Sequence, residues 1–292
     1  MERDLISMTS SIFAWLASLM YGLEAITGKL TSKHVIQNPY LFNFFWAFFI
    51  LILTIPVALI NGVTVPAHWG YIIIASFFYA LSGVLYVLAL YKLDVSVIAP
   101  LFSFRTAMAV ILGALFLGEV LLTRQYVLIG IIFVFGIFVS IDEKSALRSF
   151  FTRGTAIALF AMLALVLMAI FIKKAVAETS FWDTSLWMVV LGQVWLLPTI
   201  PLFKKDLLTT KTKQYLITFA TSAMGVVGTL AANKAYAVNV SLASTIISLP
   251  FSMVIAFLFS VFSPQLLEKH TLKVYAIRFV SAAVMIFAAL KL

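Results

Sequence analysis

The chain is a train of apolar runs, each close to the length that crosses a bilayer, joined by links too short to hold a domain. A helix rises 1.5 Å per residue, so about 20 apolar residues cover the ~30 Å of hydrocarbon. Ten such spans can be drawn, at about 10–30, 40–60, 69–91, 95–117, 125–142, 154–176, 183–203, 214–236, 240–262 and 271–290. No water-soluble fold could hide that much apolar surface. Of the 292 residues 63% are hydrophobic and 11% charged, whereas soluble domains carry about 25% charged residues. The pattern predicts an all-α integral membrane protein with ten transmembrane helices and almost no soluble part. Trp69, Tyr71, Tyr91, Tyr126, Trp182, Tyr215 and Tyr275 fall near span ends, where an interfacial aromatic belt would sit.

Composition removes several classes of function. There is no cysteine, so disulfide and thiol chemistry are excluded. The net charge of +9 is scattered over short links. It forms no patch for nucleic acid and suits contact with anionic membrane lipid instead. His34, His68 and His270 lie at span ends, far apart in sequence, so no metal site is expected. No phosphate loop or other cofactor motif is present, and the chain is not expected to be an enzyme. The start, MERDLISMTS, lacks the basic segment and cleavage site of a signal peptide, so the first helix is expected to stay.

Shifting the chain by 145 residues superimposes the spans without a gap. Thr54-Ile55-Pro56 meets Thr199-Ile200-Pro201, Tyr91 meets Tyr236, and Val95-Ser96 meets Val240-Ser241. Gly83 meets Gly228, Ser103 meets Ser248 and Lys29 meets Lys174. Each half, 1–145 and 146–292, would then hold five spans. Five is odd, so the second half must enter the membrane from the opposite side. Such inverted repeats are typical of secondary transporters, whose substrate site lies near the midplane between the repeats.

The stretch from Leu93 to Ser140 carries two apolar runs, with Pro100 early in the first and Leu117-Gly118-Glu119 closing it. The second run has Gly130 and Gly136. This stretch resembles the core signature of EamA-type proteins of the drug/metabolite transporter superfamily. The sequence Tyr21-Gly22…Lys29 is similar to that family's first helix. In the second half Ser263-Pro264 stands where Gly118-Glu119 does, and the second span lacks an arginine near Phe45 or Trp46. The resemblance implies two five-helix repeats and carriage of a small organic metabolite such as an amino acid. It also implies cytoplasmic termini. With that orientation six basic residues fall on the cytoplasmic side and twelve on the other, so the positive-inside rule points the opposite way.

The repeat sorts its own residues. What recurs in both halves serves the scaffold, and what stands in one half only is a candidate for substrate or ion contact. Glu24 meets Ala169, Arg105 meets Pro250 and Arg278 meets Phe133. A charge deep in a span is expensive and by default marks a site. Arg105 could grip a carboxylate or phosphate with its planar fork, or form a structural ion pair with Glu24. Glu24 is the proton-coupling candidate. Gln193 is mid-span beside Trp195, and Ser244, Thr245 and Ser248 share one helix face. Those six residues are the candidate substrate contacts. Pro100 and Pro250 are candidate hinges. Lys29 and Lys174, near span ends, read as snorkelling lysines, and Arg278 reads as able to reach an interface. Gly225/Thr229 and Gly228/Ala232 are small-x-x-x-small pairs that allow close helix approach.

The expected function is secondary transport of an amino-acid-like zwitterion or organic anion by alternating access, driven by a proton gradient or by exchange. The cavity walls are expected from the third, fourth, eighth and ninth spans. The expected setting is the cell (inner) membrane, with the chain a monomer or homodimer. The alternative is a structural or signalling membrane protein on a degenerate transporter fold.

Overall fold

The structure is a computed structural model. It describes the backbone of residues 2–117, 122–139, 150–238, 246, 251–263, 265–267 and 270–291. Side chains are described for all of these except residues 2–11, 106, 110, 113–117, 173 and 233–238.

Among the described residues every regular element is helical. In chain order they are α1 (Glu2–His34), α2 (Pro39–Ile60), α3 (Gly70–Lys92), α4 (Val95–Leu117), α5 (Thr123–Val139) and α6 (Arg153–Glu178). Then come α7 (Phe181–Leu196), a 3-10 turn (Leu197–Leu202), α8 (Lys204–Leu208), α9 (Thr212–Val238), α10 (Phe251–Phe262) and α11 (Leu272–Lys291). Among the described residues six helical segments are long and apolar enough to cross a membrane: Pro39–Ile60, Gly70–Lys92, Arg153–Glu178, Phe181–Leu202, Thr212–Ala232 and Leu272–Lys291. Val95–Ala109, Thr123–Val139 and Phe251–Phe262 are shorter apolar helices. Their outer faces carry large apolar side chains such as Ile60, Phe160, Val280 and Phe287. That surface would be untenable in water and suits lipid, so the chain is an integral membrane protein.

Local sequence explains where these helices start and stop. The Asn38 side chain accepts hydrogen bonds from the Tyr40 and Leu41 amides at 3.0 and 3.3 Å, and Pro39 takes the first helical position of α2. At its other end Asn61 is followed by Gly62, whose φ of 71° suits a residue without Cβ. Thr152 and Ser180 cap α6 and α7 in the same way as Asn38. The two Thr-Ile-Pro copies part company here. Pro56 lies inside α2, whereas Pro198 and Pro201 turn the end of the seventh span into a 3-10 segment.

α1 packs along α9 and α3 along α6. α2 lies against α9 and α7, and α3 lies against α7. α4 touches α6, α10 and α11, while α5 lies on α11. Of the two glycines in the fifth span, Gly136 takes the ring of Phe104 against its backbone, and Gly130 faces open space. One apolar core gathers Leu101, Phe104, Ile132 and Met285; another, rich in aromatics, gathers Phe42, Phe45, Trp46 and Phe203.

Candidate functional site

α1 runs through the bundle because its buried stripe is small: Ala14, Ala17, Ser18, Gly22 and Gly28. Gly22 lies against Phe251 of α10, where a Cβ would come within 2.8 Å of the Phe251 Cβ. On α9, Gly228 accepts Tyr21 and Met20, and Gly225 accepts the carboxylate of Glu24. A methyl group at Gly225 would overlap that carboxylate. The small-x-x-x-small pairs thus serve close approach, but one of them also makes the room in which the membrane carboxylate sits.

Glu24 is half-buried, and the side chain of Trp46 on α2 lies beside its carboxylate. Tyr79 and Tyr86 on α3 lie within its electrostatic reach. The Trp46 and Tyr86 rings meet edge to face, 6.1 Å between centroids. Below Glu24, Thr27 donates to its own helix at Leu23 and Glu24. Above it, the Tyr21 hydroxyl meets Thr229 at 3.2 Å. The arrangement is one carboxylate among aromatic faces, built by α1, α2, α3 and α9. A cation over an aromatic face is attracted by the ring quadrupole, so such a setting suits a proton or an ammonium group.

Gln193 is buried at 9% exposure, and both its amide nitrogen and its amide oxygen are without a hydrogen-bond partner among the described residues. Its neighbour Gly192 carries the ring of Tyr79 directly on its backbone. Tyr79 therefore touches the Gln193 segment of α7 and lies near Glu24. Trp195 is engaged elsewhere, donating to Ser76 at 3.0 Å.

The alternative to substrate contact, a structural Glu24–Arg105 ion pair, is not formed among the described residues. Among the described residues the ion pairs converge on Asp94, and Arg105 stands exposed on α4. Pro100 lies inside α4 without ending it. Ser244, Thr245, Ser248, Pro250 and Glu119 lie outside the described residues. The third and eighth spans, α3 and α9, surround Glu24 together with the first and second spans.

A second polar group was missed in the sequence. Asp94 sits between α3 and α4, where its backbone carbonyl opens α4. His270 Nε2 lies 2.8 Å from its Oδ2, and Arg278 Nη1 lies 3.9 Å from the same oxygen. Arg278 also donates to Ser96. It is 1% exposed, so it reaches no interface. Lys29 does not snorkel either. It is buried and donates to the Leu90 and Leu93 carbonyls, closing the end of α3. Lys174, its copy, is exposed and stands over the Tyr71 ring at 5.5 Å. Burial pushes the Asp94 carboxyl up. The hydrogen bond with His270 and the charges of Arg278, His270 and Lys29 outweigh burial and hold it below its ordinary range.

The helices define a polytopic membrane protein with a carboxylate among its packed spans, which is consistent with a transporter. Residues 8–141 match the model of the EamA-like transporter family, a family of the drug/metabolite transporter superfamily. No curated protein matches the chain.

Proposed function

We propose that the chain is a secondary transporter that moves an amino-acid-like zwitterion across the cell membrane by alternating access, with Glu24 as the group that binds the proton. The observation that carries this is Glu24 itself. It is a carboxylate in a membrane helix, beside Trp46, set against Gly225 and joined to no ion pair among the described residues. An intramembrane carboxylate without a protein cation calls for a cation from outside. That need favours the zwitterion over the organic anion, since an ammonium group complements Glu24. The unpartnered amide of Gln193 offers a donor and an acceptor to the rest of the molecule. Arg105 is the contact assigned to the substrate carboxylate, with Ser244, Thr245 and Ser248 as further contacts.

In this reading ten spans form two inverted repeats, 1–145 and 146–292. The packing partners support it. α1 lies on α9 as α6 lies on α3, and α2 lies on α9 as α7 lies on α3. α1 lies on α10 as α6 lies on α4. Each pair exchanges into the next when the halves are swapped, as a two-fold relation requires. Rocking of the halves would pivot near Pro100 and Pro250.

The test is uptake of radiolabelled L-amino acids into proteoliposomes, with and without a pH gradient. Gradient-driven uptake in the native chain, turned into gradient-independent exchange in Glu24→Gln, is the expected result. Absence of flux for every solute tried, from a properly inserted chain, would favour the structural or signalling role.

A further inference from the structure

We propose that Asp94, His270 and Arg278 form a latch that holds one face of the bundle closed, and that releasing it admits that side to Glu24. The proposal rests on the transporter reading and adds to it a resting state.

The latch joins chain segments that are remote in sequence. Asp94 lies where α3 gives way to α4, while His270 and Arg278 belong to the last link and α11. Beside it, Lys33 of α1 donates to the Leu267 carbonyl at 2.8 Å, and His34 meets that of Leu266 at 2.7 Å. All these groups lie at the same end of the helices. The end of α1, the α3–α4 joint and the last link are thus laced together at one face.

Two features make the lacing a latch rather than a surface decoration. First, Arg278 is buried. Drawing α11 away from the joint would take this buried charge from both Asp94 and the Ser96 hydroxyl, and weakening the partners of a buried charge is costly. The joint and α11 must therefore part as units. Second, the joint is mechanically tied to the site. Lys29 grips the end of α3 from α1, and Glu24 stands on the same helix just over one turn earlier. Asp94 also heads the helix that contains Pro100.

The latch has no copy on the opposite face. The 145-residue shift carries Asp94 to Asn239, His270 to Gln125 and Arg278 to Phe133. None of these carries a charge. The Asp94 contacts therefore have no charged counterparts at the positions the shift pairs with them, and they bias the equilibrium between the two access states towards closure at the Asp94 face. A few kcal/mol of such bias would leave the other state sparsely populated.

The chain lacks cysteine, so Thr31→Cys gives a single thiol. Thr31 is fully buried on α1 between Glu24 and this face. In nanodiscs, labelling by a membrane-impermeant maleimide should be slow in that background. Adding the pair Asp94→Asn and Arg278→Met removes both charges together and leaves neither orphaned. Labelling should then rise by about tenfold or more. A rate equal to that of Thr31→Cys alone overturns the latch. Should the double variant fail to insert, His270→Gln in the same background is expected to give a smaller rise, and an unchanged rate there overturns the proposal equally. Accelerated labelling in a chain that carries no solute would leave the latch and remove the transporter reading; undisturbed labelling in a chain that transports would do the reverse.

Discussion

The carboxylate of Glu24 on α1 rests against the bare backbone of Gly225 on α9, with the indole of Trp46 on α2 beside it. Three helices thus converge on one ionisable group. Glu24→Gln keeps shape and hydrogen bonding but removes the charge. Solute exchange should survive and its dependence on an imposed pH gradient should vanish. Reconstituted flux measured at several gradients checks this, and unchanged gradient dependence would leave Glu24 a structural partner of Trp46.

Gly225→Ala should damage the site directly. The new methyl group would meet the Glu24 carboxylate, and forced overpacking of this kind costs about 1–3 kcal/mol. Gly228→Ala is the matched control, because its methyl group would meet Tyr21 and Met20 instead. Both should lower the melting temperature, and only Gly225→Ala should change the pH profile of transport.

Gln193→Leu separates a ligand contact from a structural one. The amide makes no hydrogen bond to the described residues, so its loss should cost less than about 1 kcal/mol of stability, or improve it. Transport should show a raised KM. A large fall in melting temperature with KM unchanged would reassign Gln193 to structure.

Arg105→Lys keeps the charge and loses the planar fork. If Arg105 holds a substrate carboxylate, flux of zwitterions should drop while the chain still inserts normally. Equal flux from both forms would exclude that role.

The pH dependence of stability has a definite sign at Asp94. Its carboxyl is held below the ordinary value of 3.8 in the folded chain. A depressed group contributes stability above its unfolded pKa and loses it as pH falls through the folded one. Between about pH 5 and 8 the Asp94 contribution should be flat, with loss setting in only below about pH 4. A thermal-shift series should show that acid loss in the native chain and a weaker one in Asp94→Asn.

Much of the architecture was legible because hydrocarbon imposes a simple length rule. The apolar runs at 40–60, 69–91 and 271–290 correspond closely to α2, α3 and α11. The small residues of the eighth span were likewise readable as a contact face. The Asp94 group was not. Asp94 and His270 are 176 residues apart, and each looks like an ordinary link residue on its own. Lys29 misled for a related reason. A lysine near a span end usually reaches headgroups, but here the end of α3 offers buried carbonyls within its reach. Glu24 was visible as a lone charge, but the room that Gly225 leaves for its carboxylate was not, because that glycine lies 201 residues further along and reads as a packing residue.

The pairing of α1 with α9 also sets a timetable for making the protein. Tyr21 meets Thr229 across 208 residues of chain. At roughly 5–20 residues per second of synthesis, about 10–40 s separate the emergence of the two. For that interval the α1 face that carries Glu24 lacks its surface on α9, whereas Lys29 waits only for the end of α3, and α3 waits a shorter time for α6. The newborn first half is thus a guest of the insertion machinery until the ribosome has nearly finished, and truncations before α9 should be degraded rather than stored.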